Sequence, residues 1–536
     1  MKRLSVLLVV LTLVAILGGC GSGGGGGFSD RQASGKDNVL RYPIPDDLTA
    51  LDPAIVQDGD TIDALQQVFE GLVGWSTDNQ PEGRLAEKWD IEDGGKTYVF
   101  TLKKGVKFHN GREVTADDVK WSIERATSGK MASPTWQYVA DIVGVREYHE
   151  GKAESISGIE VRDPSTVVIK IDKPRPYFLG KLTYLVSAVV AKESVPADSA
   201  ITEVSQMIGT GPFKAKQYER NQLFVMEANP DYHDGAPSLA KIERPVIKDP
   251  ATRLNKYKSG EIDILQLERQ DLDAIKKDEK LAKDLKPFDR PSIWYIGLNQ
   301  KSYAPFKDRR VRQAFAMAID KDRIVNDILG GANNIANSIV PPGVLGHRED
   351  ANAIKFDPEG AKKMLADAGY PGGKGLPPME MNFRDGRPDV RIVAEAVQGM
   401  LQTNLGVTIN TRMMEWGAYL DKWNKGDVQI FHMRWAADYL DPENFLSYML
   451  STTGPENKIG YSNKEYDDLC AQADVLMDWD QRAPLYAKAE DIVLQDAPWV
   501  PIYFQRDFEL ISPRVSGLRE SLFGHLPHTK VRLAAN

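Results

Sequence analysis

The chain of 536 residues has few of the residues that build disulfide frameworks, metal centres and catalytic centres. It contains only 2 cysteines, and its 7 histidines are dispersed. The sequence has no His-Glu-x-x-His helix and no Gly-x-Ser-x-Gly turn, which are the usual marks of zinc peptidases and serine hydrolases. His109 has no second ligand at helical or strand spacing, so we expect a hydrogen-bonded structural histidine. We predict no catalytic residue, no metal site and no cofactor, and a catalytic dyad assembled only in three dimensions is the alternative.

Patterns that bind nucleotides and nucleic acids are lacking as well. Gly95-Lys96-Thr97 has Asp90 where a phosphate loop needs its first glycine, and Gly209-Thr210-Gly211 lacks the third glycine of a dinucleotide loop. The formal net charge is -9 and no run of basic residues occurs. An acidic chain of this kind is not expected to bind nucleic acid.

A single long apolar run is present, from Leu4 to Leu17, directly after Met1-Lys2-Arg3. The run is too short for a permanent membrane span and predicts an export signal. It ends in Leu17-Gly18-Gly19-Cys20, which resembles the lipobox of bacterial lipoproteins, where the cysteine is lipidated. We expect a lipoprotein signal peptide over residues 1–19 and a glycine-rich, lipid-anchored linker over residues 20–35. A secretory signal that is cut elsewhere is the alternative.

With Cys20 lipidated, Cys470 has no intrachain partner, and we expect it to be a small buried hydrophobic residue. The rest of the chain alternates helical and strand patterns, which indicates an α/β fold with enough apolar residues for more than one core. Thr115 and Asp118 form a capping-box pattern at a helix start. The apolar spacing from Thr61 to Leu72 predicts a helix, and Val428 to Phe431 predicts a buried strand.

The loop that we expect after this strand, Arg434 to Pro442, contains two acids and two large aromatics. Open α/β sheets bind ligands beyond their strand ends, so this loop is a candidate ligand crevice. Asp441 precedes a proline and is expected to cap a short helix. Asp438 has no such role, and a carboxylate beside Trp435 and Tyr439 can pair with a cation in a partly desolvated pocket.

Several stretches resemble the family 5 extracellular solute-binding proteins, which include the oligopeptide- and dipeptide-binding proteins of bacterial ABC importers. They are the stretches from Trp435 to Pro442, Leu51 to Leu72, Gly105 to Val119, Gly209 to Phe213 and Gly260 to Ile264. The resemblance implies a two-lobed periplasmic-binding-protein-like fold of class II type, with an additional domain and two hinge crossovers. We expect domain I over 36–73, 204–290 and 501–536, domain II over 74–203, and domain III over 291–500.

The resemblance also implies ligand-binding residues. The aspartate at the position of Asp438 holds the α-ammonium of a bound peptide in the family, and the backbone of Trp435 and Ala436 is expected to bind the peptide main chain. Arg434, Tyr439, Asp58 and Gly59 are expected near the peptide. Arg384 matches an arginine that binds the peptide carboxylate in dipeptide-binding relatives. A solvated loop acid is an equal alternative for Asp58, and a surface arginine is an equal alternative for Arg384.

The function that the resemblance implies is capture of short peptides between two closing lobes and their delivery to the permease subunits of an ABC importer. The expected protein is a monomer, exported and anchored by lipid to the cell membrane, facing the periplasm or the cell exterior. Relatives bind nickel chelates, haem, sugars or opines, so a non-peptide ligand is one alternative. A secreted hydrolase and a surface lipoprotein without a role in transport, such as an adhesin or a peptide sensor, are the others.

Overall fold

The computed structural model describes residues 38–534. The predicted signal peptide, Cys20 and the glycine-rich linker lie outside these residues. No helix within the described part of the chain combines the length and the apolar character that crossing a membrane requires.

Three sheets organise these residues. A four-stranded sheet of the first lobe has the order Val39–Arg41, Lys241–Pro245, Leu223–Ala228 and Phe213–Glu219. A second, wholly antiparallel sheet has the order Ala86–Glu92, Thr97–Leu102, Thr166–Lys170 and Ile159–Asp163. The seven-stranded sheet has the order Ile264–Gln266, Trp499–Ile511, Leu285–Leu298, Ile430–Ala436, Met379–Arg384 and Ile409–Met414, with Asn334–Ile335 beside Trp499–Ile511.

Short hairpins and helices complete the fold. The paired short strands are Val73–Trp75 with Pro81–Gly83, Val515–Ser516 with Arg532–Leu533, and Glu520–Ser521 with Gly524–His525. The α-helices are Gly59–Leu65, Ala116–Thr127, Val145–His149, Phe178–Lys181, Pro250–Lys258, Leu272–Lys277, Leu281–Asp284, Arg309–Met317, Pro358–Asp367, Pro388–Leu405, Trp416–Asn424, Ser447–Leu450, Lys464–Ala473 and Trp479–Asp496. The predicted capping box is confirmed, because the backbone N–H of Thr115 donates to Asp118 Oδ2 at 2.9 Å.

The seven-stranded sheet has a separate apolar core on each face, because its side chains alternate between the faces. Ile296 and Ile430 pack on one face with the helices Arg309–Met317 and Pro388–Leu405. Ile293 and Met433 pack on the other face with the helices that follow the sheet. Helices on both faces of a mixed sheet make this an α/β lobe, as predicted.

Two long strands, Leu285–Leu298 and Trp499–Ile511, lie at the predicted boundaries between domains I and III. They pair antiparallel, and at one end Ile264–Gln266 of the first lobe joins them. The pairing shifts between Asp289 and Ile293, where three residues of one strand face Gln505 of the other. Such an irregularity weakens the ladder locally and allows it to bend.

Two predicted boundaries are wrong. The strand predicted to end at Phe431 continues to Ala436, because residues 432–436 pair with residues 292–296 of a distant strand. The helix predicted from Thr61 to Leu72 covers only Gly59–Leu65. It stops because the carbonyls of Gln67 and Val68 accept hydrogen bonds from Phe213 and Gly211, at 3.0 and 2.9 Å, instead of continuing a helix.

The turn at Gly209 and Gly211 needs glycine at both positions, because the backbone of Gln67 and Val68 lies very close to it. A Cβ atom at either glycine would overlap the backbone of Gln67 or Val68. Any larger residue would push the strand Phe213–Glu219 away from the helix end. His109 joins the same turn, with a ring nitrogen 3.0 Å from the Gly211 carbonyl oxygen, and burial lowers its pKa to about 4. The expected structural role of His109 is thereby confirmed.

Candidate functional site

Asp438 follows the strand Ile430–Ala436 and is largely enclosed by protein. Its backbone N–H donates to Asn444 Oδ1 at 3.1 Å. Burial raises the pKa of the carboxyl group to about 6, although the Tyr138 hydroxyl and the Asn444 amide favour the ionised form. Tyr138 and Asn444 thus already interact with the carboxylate, but among the described residues the buried atoms Asp438 Oδ2 and Asn444 Nδ2 make no hydrogen bond of good geometry within 3.5 Å. An acceptor and a donor that lack partners side by side fit a polar ligand.

Aromatic rings surround this carboxylate. Tyr138 and Tyr184 stack with ring centroids 4.4 Å apart, and Asp438 raises the pKa of both hydroxyls in addition to the larger effect of burial. On the other side, the ring centroids of Trp435 and Tyr448 are 5.8 Å apart. The indole of Trp435 donates to the Asn444 carbonyl at 3.0 Å, which fixes the ring beside Asp438. The result is a polar group in an apolar, partly desolvated pocket.

Tyr138 and Tyr184 belong to the segment predicted as domain II and are not among the predicted site residues. Nothing in their local sequence distinguishes them from core tyrosines. Their role is visible only because Tyr138 reaches Asp438 from about 300 residues away in the chain. A further contact between the same two regions is the stack of Tyr177 on Tyr439, with centroids 5.5 Å apart.

The strand that carries Arg434, Trp435 and Ala436 has one open edge. On one side it pairs with residues 292–298, and on the other it pairs with Met379–Arg384 only at Ile430 and Phe431. The Ala437 N–H donates to Pro291 O at 2.8 Å. In an antiparallel pair every second residue forms hydrogen bonds with the partner strand, so the odd-numbered residues before Ala437 bond to the strand Leu285–Leu298. By this alternation the backbone of Trp435 faces the neighbouring strand, and the backbones of Arg434 and Ala436 face the open edge.

The loop after Asp438 is held rigidly. Asp441 caps the short helix at Pro442–Asn444, as predicted, and accepts a hydrogen bond from the Glu443 N–H at 3.0 Å. Its two carboxylate oxygens also bind the buried guanidinium of Arg482 at 2.8 and 2.9 Å. The Tyr439 hydroxyl donates to Glu443, and Tyr439 is buried, so its contact is with the stacked Tyr177.

The remaining predicted residues lie at separate places. Asp58 caps the helix Gly59–Leu65 by accepting from the Thr61 N–H at 2.9 Å, and Gly59 is exposed at its first position. Asp58 is close enough to raise the pKa of Tyr184, although burial and Asp438 raise it more. The ligand roles of Asp58, Gly59 and Tyr439 stay predictions.

The two predicted arginines lie near each other on the seven-stranded sheet. The guanidinium carbon of Arg384 lies 4.2 Å from the centre of the Trp416 ring. Arg434 is open to solvent and donates to Gln505 Oε1 at 3.2 Å. Protein nevertheless encloses Arg434 closely, since burial is the main cause that lowers its pKa to about 10, with Arg387 second. Exposure to solvent together with a pKa that is lowered by surrounding protein is expected for a side chain inside a cleft.

Two other features lie apart from Asp438. Glu509, Glu520 and His525 bring three potential metal-ligand atoms within 4.8 Å of one another. His525 Nε2 already binds Glu509 Oε2 at 2.6 Å, so these two potential ligand atoms are paired with each other. A surface cavity of about 420 Å³ on the first lobe is lined by Arg41, Leu223 and neighbouring residues, and contains none of the predicted site residues.

Comparison with known proteins identifies the family. The model for "Bacterial extracellular solute-binding proteins, family 5 Middle" matches residues 80–457. The chain belongs to this family. It is 31% identical to Heme-binding protein A of Haemophilus influenzae over 98% of each chain. It is 29% identical to the oligopeptide-binding protein OppA of Bacillus subtilis, over 94% of this chain and 95% of that protein.

Solved structures of the family have the same fold. The murein tripeptide binding protein MppA of Escherichia coli superposes with a TM-score of 0.80 at 26% identity, over 95% of this chain and 99% of that one. A periplasmic oligopeptide-binding protein of Borrelia burgdorferi gives a TM-score of 0.79 at 27% identity, over 92% and 99% of the two chains. These similarities confirm the predicted α/β binding-protein fold.

Proposed function

We propose that this protein is the substrate-binding lipoprotein of an ABC importer and that it captures short peptides through Asp438. The observation that carries the proposal is the half-buried Asp438 carboxylate, whose buried Oδ2 makes no hydrogen bond of good geometry within 3.5 Å to any of residues 38–534. An α-ammonium group donates up to three hydrogen bonds and carries the opposite charge. It would satisfy Oδ2 and offset the cost of keeping the carboxylate ionised in a desolvated place.

The peptide main chain would extend the sheet. Past Phe431 the strand Ile430–Ala436 has a free edge to which the backbones of Arg434 and Ala436 point. An extended peptide placed there forms main-chain hydrogen bonds that do not depend on its side chains. In this proposal Ala436 contributes its backbone and Trp435 its ring, whereas the resemblance implies that the backbones of both residues bind the peptide. Water in the enclosed cleft can serve side chains of different kinds.

Closure would bring the rings of domain II onto the ligand. The predicted division into three domains places Tyr138, Tyr177 and Tyr184 in domain II, and Asp438 with Tyr439 in domain III. In the structure these regions already touch, through Tyr138 at Asp438 and the stack of Tyr177 on Tyr439, so opening of the lobes would have to break these contacts. A ligand shifts this equilibrium only by its greater affinity for the closed form. Pairing of an ammonium group with Asp438 beneath Tyr138 supplies that difference.

The experiment is a calorimetric titration of the soluble chain, lacking residues 1–27, with peptides of two to six residues and their N-acetylated forms. Free-amino peptides should bind, and acetylation should abolish binding because it removes the ammonium charge. Asp438→Asn should have the same effect as acetylation. Asp421→Asn is the matched control, because Asp421 is an exposed carboxylate that pairs with Lys425 at 2.6 Å. Equal binding of free and acetylated peptides would show that Asp438 does not bind the ammonium group.

Membrane anchoring and delivery form the second part of the proposal. They rest on the family's extracellular solute-binding description and on the lipobox pattern ending at Cys20. Expression of the full chain with Cys20→Ser should move the protein from the membrane fraction to the soluble fraction. Loss of peptide uptake on deletion of the gene, restored by the wild-type chain, would separate import from peptide sensing.

Haem is the second candidate ligand, because the relative with 31% identity is named Heme-binding protein A. Titration with hemin decides between the two. A Soret band that shifts on binding, together with competition between hemin and peptides, would show that the same cleft takes both. A Soret shift with no peptide binding would replace the peptide assignment.

A further inference from the structure

Three arginines in the cleft have no ion pair among the described residues. They are Arg384, Arg387 and Arg434, and no carboxylate oxygen of residues 38–534 lies within 4.0 Å of their nitrogens. Their charges act on one another, since Arg387 is the second cause, after burial, that lowers the pKa of both Arg384 and Arg434. Like charges held together without a counterion are costly, and an anionic ligand would remove that cost.

The local structure holds these side chains in place. Gly386 has a φ of 71°, which lets the chain turn sharply between Arg384 and Arg387. The Asp385 N–H donates to Met414 O at 2.7 Å and fixes that turn to the neighbouring strand. Arg387 is the N-cap residue of the helix Pro388–Leu405, whose 18 residues direct the positive end of their dipole to the same place.

The guanidinium groups keep hydrogen-bonding edges free. Arg384 stacks on Trp416 with the face of its guanidinium group, and its Nε donates to the Asp385 carbonyl at 3.4 Å, so the edge formed by its two terminal nitrogens stays available. Arg434 uses one N–H to bind Gln505 Oε1, and Gln505 is itself oriented by its donation to Asp507 Oδ1 at 2.7 Å. Each arginine can therefore still make the paired contact that carboxylates prefer.

The nearby acids are already engaged. Asp507 binds Arg290 at 2.6 Å, and Asp389 binds Arg269 at 2.9 Å, so these two pairs are close to neutral. Glu415 caps its own helix by accepting from the Ala418 N–H at 3.0 Å. Asp385 favours the charged form of Arg384, but less than Arg387 opposes it. Asp385 and Glu415 keep their negative charges and reduce the positive charge of this region. Neither forms an ion pair with Arg384, Arg387 or Arg434 within 4.0 Å among the described residues, so the three guanidinium groups are left without a direct carboxylate contact.

The distance from Asp438 limits what can reach both sites. Arg434 and Asp438 are four residues apart, so their Cα atoms are at most about 14 Å apart. A peptide held at Asp438 by its ammonium group reaches the arginines after about two to four residues.

We propose, on the basis of the peptide-binding function above, that the arginine cluster selects short peptides with a second carboxylate at the far end, that is, peptides ending in aspartate or glutamate. The terminal carboxylate occupies one arginine, and the side-chain carboxylate binds the others. The surface-arginine alternative for Arg384 predicts no such preference.

The test compares Ala-Glu with Ala-Gln, and Ala-Ala-Glu with Ala-Ala-Gln, by calorimetric titration. The members of each pair have nearly the same shape and differ by one negative charge. We expect the glutamate peptide to bind about tenfold more tightly to the wild-type chain. The ratio should fall towards one in Arg387→Gln and in Arg434→Gln, and Arg387→Lys should keep part of it. Raising NaCl from 50 to 500 mM should also reduce the ratio, because screening weakens accessible charge pairs.

Arg391→Gln is the matched control, since Arg391 is exposed on the same helix and pairs with Glu395 at 2.9 Å. Its ratio should equal that of the wild type, and a thermal melt checks that each variant is folded. Equal affinity for glutamate and glutamine peptides in the wild-type chain would overturn the proposal, and so would the same loss of preference in Arg391→Gln. If peptides bind without this preference, only this proposal fails. If no peptide of the wider panel binds, the proposed function fails with it.

Discussion

Replacing Asp438 with asparagine should stabilise the ligand-free protein while removing its affinity for amines. Burial raises the pKa of Asp438 from its ordinary value of 3.8 to about 6. Each unit of pKa corresponds to about 1.4 kcal/mol, so the ionised carboxylate costs the ligand-free fold at most about 3 kcal/mol. Asp438 keeps some contact with solvent, which reduces the expected gain in Asp438→Asn to about 1–2 kcal/mol.

The pH dependence distinguishes this cause from better packing. Because the folded-state pKa lies above the unfolded value, the penalty is absent below about pH 4 and grows as the pH rises. It is complete somewhat above pH 6. Asp438→Asn should therefore melt on the order of 2 °C higher than the wild type at pH 7.5 and at the same temperature near pH 4.

The assay is thermal and urea unfolding of both proteins without ligand, at pH 4 and pH 7.5. Adding a free-amino peptide at pH 7.5 should make the melting temperature of the wild type higher than that of Asp438→Asn, since only the wild type is stabilised by binding the ammonium group. A melting temperature of Asp438→Asn below that of the wild type at pH 7.5 would refute the argument. An equal gain at both pH values would also refute it, because the gain would then not come from the charge.

Three further predictions concern stability and reactivity. Asp441→Asn should destabilise the fold by about 3–5 kcal/mol in urea unfolding, because it leaves the buried Arg482 without its counterion. A loss below about 1 kcal/mol would contradict that account. Gly297→Ala should cost about 1–3 kcal/mol, since the added Cβ would overlap the buried Phe431 ring, and Phe431→Leu in the same chain should recover part of the loss. Burial raises the pKa of the Cys470 thiol, so thiol reagents should label it only as fast as the protein unfolds, and labelling within seconds in native buffer would disagree.

Features set by neighbouring residues could be predicted from the sequence. The capping box of Thr115 and Asp118 and the cap at Asp441 depend on residues two or three positions apart. The buried position of Cys470 follows from the helical pattern around it. These predictions needed only local spacing, and they are confirmed.

Features set by distant contacts could not be predicted from the sequence. The strand continues past Phe431 because residues 292–296 supply hydrogen-bond partners, and the first helix stops at Leu65 because the turn at Gly211 takes over its carbonyls. The sequence of neither segment indicates which distant residues will pair with it.

The same distinction applies to the candidate site. Asp438 could be selected because an acid between two aromatics at a strand end is a local pattern. Tyr138 and Tyr184 lie in another region of the chain, and only the folded structure brings them to Asp438. Arg387 carries no local signal of a site, because its relation to Arg434 depends on two strands that are distant in the sequence and lie side by side in the sheet.

The free edge of the strand Ile430–Ala436 has a cost as well as a use. An edge whose backbone groups lack partners pairs with any extended chain, including another copy of the same protein. An edge that binds peptides in the proposed way cannot be blocked by a proline or an inward-pointing charge, as the edges of other sheets are. If the edge takes an extended peptide as proposed, the ligand and a second copy of the protein would compete for the same backbone groups of Arg434 and Ala436. A bound peptide would then protect the protein from edge-to-edge association.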